Sequence, residues 1–172
     1  YPLLKWMMPS SAFKLQMVKQ DRIEQQHHVL DVGCGTSTLT LLVKQAYPTA
    51  EVVGLDCDAK MLESARNKAS KAGLPVKFDC GMAFQLPYAD NSFDRVVSSL
   101  VFHHLAHEDK LRTLAEILRV LRAGGELHVC DWGEARSSLM RMAFLLVQLV
   151  DGFERTRDNV QGLLPKLFSE AG

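Results

Sequence analysis

The nine residues Val29–Ser37, Val-Leu-Asp-Val-Gly-Cys-Gly-Thr-Ser, restrict the fold of this chain more than any other stretch. Val29 to Val32 is apolar apart from Asp31, Gly33-Cys34-Gly35 follows at once, and Leu39, Leu42, Val43 and Ala46 then recur at helical spacing. A short buried strand, a tight glycine turn and a helix open a βαβ nucleotide-binding unit. Glycine lacks a Cβ, so it turns the backbone at positive φ and lets a ligand approach the main chain closely. The first N–H groups of the new helix then point into the turn, where they favour a carboxylate or phosphate.

Two details narrow the ligand. A dinucleotide fingerprint requires a third glycine to pack helix on strand; here the run Gly33-Cys34-Gly35-Thr36-Ser37 continues with Thr38. Asp31, two residues before the first glycine, would repel a pyrophosphate and attract an ammonium group. A ligand with both charges, such as the methionine half of S-adenosyl-L-methionine, suits this pairing. Thr36 or Ser37 is expected to cap the helix. The run Glu51–Asp56 is a second strand ending in an acid about twenty residues beyond the turn, the spacing at which a carboxylate accepts from ribose hydroxyls. Asp58 is placed to cap the following helix, whose Met61 could touch an adenine, and Gly73 to stop it.

Composition bounds the rest. A chain of 172 residues holds one α/β domain with a real core. Lys+Arg and Asp+Glu both number 20, so no net field recruits nucleic acid or acidic lipid. No apolar run reaches membrane-span length, and no signal-peptide pattern is present. Cys34, Cys57, Cys80 and Cys130 lack metal-ligand spacing and fall near strand ends; reduced thiols in a cytoplasmic protein are expected.

In chain order, residues 1–26 form an N-terminal helical segment, with a helix from Ser10 or Ser11 to about Ile23 that either covers the ligand mouth or packs on the sheet. Tyr1 is not an initiator, so a front piece is expected to be missing. Residues 27–172 form the cofactor-binding domain. Pro75–Cys80 reads as a third strand and Phe93–Ser99 as a fourth. A helix from about Glu108 carries Leu111, Leu114, Ala115, Leu118 and Leu121 as its apolar stripe, with Lys110, Arg112, Glu116 and Arg119 in water. Gly124-Gly125 should end that helix and Glu126–Asp131 should be the fifth strand. The repeated alternation gives a Rossmann-like, doubly wound, mainly parallel sheet with helices on both faces. Asp31, Asp56, Ala83, Ser99, His103 and Asp131 then converge beyond the carboxyl ends of the strands. His27 and His28 are expected to face solvent, and Asp151–Gly162 to be a loop or helix break before a short helix at Leu163–Ala171.

The segments Val29-Leu-Asp-Val-Gly-Cys-Gly-Thr, Gly54-Leu-Asp56, Leu86-Pro87-Tyr-Ala-Asp-Asn-Ser-Phe93-Asp94, His103-His104-Leu105 and Arg119-Val-Leu-Arg-Ala-Gly-Gly125 resemble the class I S-adenosylmethionine-dependent methyltransferases, and within them the ubiquinone/menaquinone-biosynthesis group. The resemblance implies that Gly33 and Gly35 flank the methionine moiety and Asp56 holds the ribose; Cys34, Thr36 and Cys57, their sequence neighbours, are expected in the same cofactor site. It also implies that Met82, Ala83 and Phe84 cover the adenine, with Ser99 at the end of the fourth strand. Many relatives carry an acid where Met82 and Phe84 stand, so packing or backbone contacts would replace its hydrogen bond. It further implies two last strands after Gly172, so this chain is expected to be C-terminally truncated. Its fifth strand would then be an open edge that a homodimer could cover.

Methyl transfer asks mainly for alignment; a general base is needed only when the acceptor is a hydroxyl or carbon acid. His103, His104 and Asp131 are the candidates by location, although each histidine has an ordinary structural alternative. No metal is expected, since His103 and His104 would project about 100° apart on a helix, which argues against a triad with His107. The apolar stretch 139–150 is either a buried helix or a Met-rich wall for an apolar acceptor. The expected function is thus methyl transfer to a small, largely apolar metabolite. The alternatives are a catalytically silent binding domain, or an NAD(P)-dependent oxidoreductase, which the missing glycine and Asp31 disfavour.

Overall fold

The computed structural model describes residues 10–133 and 152–171, with residues 141, 142, 145, 148 and 149 between them in helical conformation. Residues 1–9 and most of the apolar 139–150 stretch, on which the front-piece and buried-helix expectations fell, lie outside the described residues; Met142, Leu145 and Leu149 within that stretch are exposed.

Elements run α1 (Ser10–Gln20), β1 (His28–Val32), α2 (Thr38–Ala46), β2 (Glu51–Asp56), α3 (Ala59–Ala72), β3 (Lys77–Cys80) and β4 (Phe93–Ser99), followed by a 3-10 turn at Phe102–His104. Then come α4 (His107–Val120), β5 (Leu121–Cys130), α5 (Phe153–Val160) and α6 (Leu164–Ala171). The sheet has five strands in the order β3-β2-β1-β4-β5, all parallel. The order reverses between β1 and β4, which opens a crevice at their carboxyl ends.

Period-two alternation sorts the β1 side chains. Val29 packs with Met17 and Val18 of α1, Leu39 and Val43 of α2, and Val97 of β4. Leu30 and Val32 pack on the opposite face with Leu114 and Ile117 of α4 and Leu164 and Leu167 of α6. The N-terminal helix therefore packs on the sheet layer through α2. Helix α3 is punctuated as its sequence implies: Asp58 accepts from the N–H groups of Lys60 and Met61, and Gly73 turns out at φ 65°. His27 and His28 are half-buried rather than solvent-facing. None of the described helices is long and apolar enough to cross a membrane.

Three elements differ from expectation for identifiable reasons. The buried face of α4 is Lys110, Thr113, Leu114, Ile117 and Val120, while Leu111 and Leu118 are exposed. Lys110 is wholly buried because its ammonium donates to the Arg155 carbonyl at 2.7 Å and to Asp158 Oδ2 at 2.9 Å. Gly124 and Gly125 lie inside β5, in a register irregularity opposite Phe93–Arg95, and α4 passes directly into the strand at Leu121. A Cβ on Gly125 would sit 2.9 Å from the Arg122 carbonyl oxygen, so these glycines serve a bulge instead of a helix end. Finally, Phe153–Val160 is helical despite its polarity, because Thr156, Asp158 and Asn159 point inward and find partners.

Candidate cofactor-binding site

A cavity of about 460 Å³ opens at the carboxyl ends of β1, β2 and β4. The glycine turn forms one wall. The N–H groups of Gly33 and Cys34 both donate to the Leu55 carbonyl, at 2.8 and 2.9 Å, which pins the turn to β2. Gly33 has φ 70°, and a Cβ there would stand 2.3 Å from Val101 Cγ2. Gly35 has φ 53° with no heavy atom within 4 Å of a hypothetical Cβ, so its open side faces free space. A ligand could lie against this backbone at contact distance.

Asp56 reaches the same turn. Its Oδ2 accepts from the Gly35 N–H at 2.8 Å and its Oδ1 accepts from the Asp58 N–H at 2.9 Å. Cys34 and Cys57 line the cavity beside it, as does Thr36, whose carbonyl and hydroxyl oxygens accept from the Lys68 ammonium at 3.0 and 2.7 Å. Met82, Ala83 and Phe84 form the far edge, where the Arg112 guanidinium lies 4.8 Å from the Phe84 ring centroid. Ser99 completes the wall from β4; its hydroxyl is buried and, among the described residues, has no hydrogen-bond partner. An orphaned polar atom facing a cavity is a feature that a polar ligand would satisfy.

Four of the residues singled out from the sequence lie outside this wall. Met61 is exposed at the start of α3. Asp31 is 1% exposed beneath the turn, accepts from Thr40 Oγ1 at 2.6 Å, and its carboxyl is pushed up to about 6 by burial. His103 is buried, with Nδ1 2.7 Å from Asp131 Oδ1. Asp131 accepts from the backbone N–H groups of Val101 (3.0 Å), Phe102 (2.7 Å) and Trp132 (2.7 Å), and from Asn159 Nδ2 (3.2 Å). Of the three acid–base candidates, His104 reaches the cavity. Helix α2 begins without the expected side-chain cap: Ser37 stands at its N-terminus at φ 63° with no such bond. No group of His, Cys, Asp and Glu among the described residues could hold a metal ion.

Sequence reasoning missed Lys14, Leu100 and Val101, all in the wall. Leu100 adopts φ 62°, a left-handed conformation costly for a branched side chain, directly after β4. Asn159 was missed too, because it lies in a polar stretch with no motif.

The sheet order, the glycine turn and the carboxylate resting on it define a Rossmann-like domain built for a nucleotide-type cofactor. The chain belongs to the class I S-adenosylmethionine-dependent methyltransferases: the family model described as a methyltransferase domain matches residues 29–125. It is 39% identical over 118 residues to the demethylmenaquinone methyltransferase of Deinococcus radiodurans, an alignment covering 69% of this chain and 48% of that protein. It is also 39% identical over 128 residues to the malonyl-[acyl-carrier protein] O-methyltransferase of Methylococcus capsulatus, covering 73% and 43% respectively. The crystal structure of the YcgJ protein of Bacillus subtilis superposes with a TM-score of 0.69 at 28% identity, over 80% of this chain and 58% of that one. The chain spans about half the length of the curated relatives it matches.

Proposed function

We propose that the protein transfers the methyl group of S-adenosyl-L-methionine to a small, largely apolar metabolite. The observation that carries this reading is the convergence of the open Gly35, the Asp56 carboxylate and the orphaned Ser99 hydroxyl on one cavity. When bound, S-adenosylmethionine supplies an electrophilic methyl on a sulfonium that is itself a good leaving group.

The chain's own residues have the simpler tasks of holding and orienting. The turn Gly33–Thr36 lies along the amino-acid portion, Asp56 with Cys57 faces the ribose, and Met82, Ala83 and Phe84 cover the base by packing. His104 is the side chain placed to take a proton if the acceptor releases one. A well-oriented pair of reactants can recover about 7–11 kcal/mol of barrier without any protein base. Similarity to enzymes named for demethylmenaquinone and for malonyl-[acyl-carrier protein] supports an acceptor other than a nucleic acid, and the first of these names a small apolar one. Two copies could pair through β5, which among the described residues pairs as a strand only with β4; size-exclusion chromatography showing a clean monomer refutes that part.

Calorimetric titration tests the cofactor. S-adenosylhomocysteine is expected to bind with one site per chain and NAD not to bind; the reverse result overturns the reading. Product mass spectrometry with the full-length protein and a metabolite extract tests the transfer. An absence of any methylated product there would leave a binding domain without activity.

A further inference from the structure

We propose that Lys14 of α1 pairs with the carboxylate of the amino-acid portion of the adenosyl ligand, an inference that rests on the cofactor reading above. Lys14 is half-buried and lines the cavity from the helix that packs over α2. Among the described residues no ion pair or hydrogen bond engages its ammonium. A long cationic side chain in a cavity wall that no acid bonds is a group an anion would satisfy.

The local chemistry says which anion. The end of the cavity near the turn gathers positive charge: Lys14, Lys68 bonded to Thr36, and the N-terminal end of α2. The acid of that region, Asp31, is buried and already bonded to Thr40. The opposite edge, Met82 to Phe84, is apolar and suits a base. Ser99 adds a second polar contact at the charged end. It stands two residues beyond Val97, the partner of Asp31 in the β1–β4 register, and so shares the α1 face of the sheet. Burial lowers the pKa of Lys14, with Asp31 opposing and Lys68 reinforcing that shift. A carboxylate placed against the ammonium would favour its charged form and oppose that shift.

The test separates this contact from the cofactor reading. Affinities for S-adenosylhomocysteine and for 5′-methylthioadenosine, which lacks the amino-acid group, are measured by calorimetry on the wild type, Lys14→Met and Lys14→Arg. Lys14→Met is expected to weaken S-adenosylhomocysteine about tenfold or more, the usual worth of a charged hydrogen bond, and to leave methylthioadenosine within twofold. Lys14→Arg should keep most of the lost affinity. Equal weakening of both ligands, or no change in either, overturns the assignment to the carboxylate. Wild-type protein that binds neither ligand overturns the adenosyl reading itself, and this contact with it.

Discussion

The two glycines of the turn are predicted to fail in different ways when each is replaced by alanine. At Gly33 the new Cβ would lie 2.3 Å from Val101 Cγ2, 3.0 Å from Cγ1 and 3.2 Å from Cβ. Rotating the Val101 side chain leaves the contact with its Cβ, and the backbone that carries that atom is held by Asp131 through its N–H. Alanine at positive φ costs about 1–2 kcal/mol, and overpacking adds roughly 1–3 kcal/mol. A total near 3 kcal/mol corresponds to a fall in Tm of about 6–12 °C for a chain of this size. At Gly35 the same Cβ meets nothing, so only the backbone term of about 1–2 kcal/mol remains, about 2–8 °C in Tm. Its methyl group would instead occupy the open side of the turn, and S-adenosylhomocysteine affinity should fall more than tenfold. Differential scanning fluorimetry with and without the ligand reads both effects. Equal Tm losses for the two variants, or unchanged affinity in Gly35→Ala, would refute this division of labour within the turn.

Other substitutions probe separate contacts. Asp56→Ala removes the acceptor of the Gly35 and Asp58 N–H groups; calorimetry should show a large loss of adenosyl affinity, with about 1 kcal/mol lost in urea denaturation. Lys110→Met leaves Asp158 buried beside His107 alone and should cost about 3–5 kcal/mol, the range for a broken buried pair. Most of that loss should return in Lys110→Met/Asp158→Leu, measured by urea denaturation. Asp21 is 1% exposed and its carboxyl is pushed up to about 7, by burial first and by the Asp31 charge second. A carboxyl whose folded pKa is raised favours the protonated native state, so its contribution is full below about pH 4 and disappears as pH rises through about 7. Urea midpoints at pH 5 and pH 8 should therefore differ less in Asp21→Asn than in the wild type.

The strands and the turn were legible because their signals are local. A glycine pair after an apolar run, an acid at the end of the next strand and Asp58 before a helix each act within a few residues. The contents of the cavity edge were legible for the same reason, since Asp56 and Ser99 close their strands and Met82–Phe84 come just after one. What misled was the assumption that polar means outward. Lys110, Asp158 and the Asn159 amide nitrogen are buried because distant partners satisfy them, and no periodicity announces a partner some 48 residues away. The same assumption turned α4 by part of a turn and left α5 as a loop. Gly124-Gly125 misled differently: glycines after a helix signal its end, yet here Leu121 already belongs to the strand and the glycines absorb a register shift.

Asp131 illustrates how a strand-end acid can shape a site without touching it. Location alone made it a candidate base, but every bond it accepts is spent on the chain: two N–H groups of the segment after β4, one of Trp132, the Asn159 amide and the His103 ring. Val101, held by one of those bonds, packs against Gly33, and Leu100 beside it is kept at φ 62°. The carboxylate therefore fixes the wall on which a cofactor would rest, and Asn159 extends that hold to α5. Such a site works by rigidity. Since a well-placed sulfonium needs alignment more than proton transfer, a carboxylate that secures the wall serves the proposed reaction better than one left free to accept a proton.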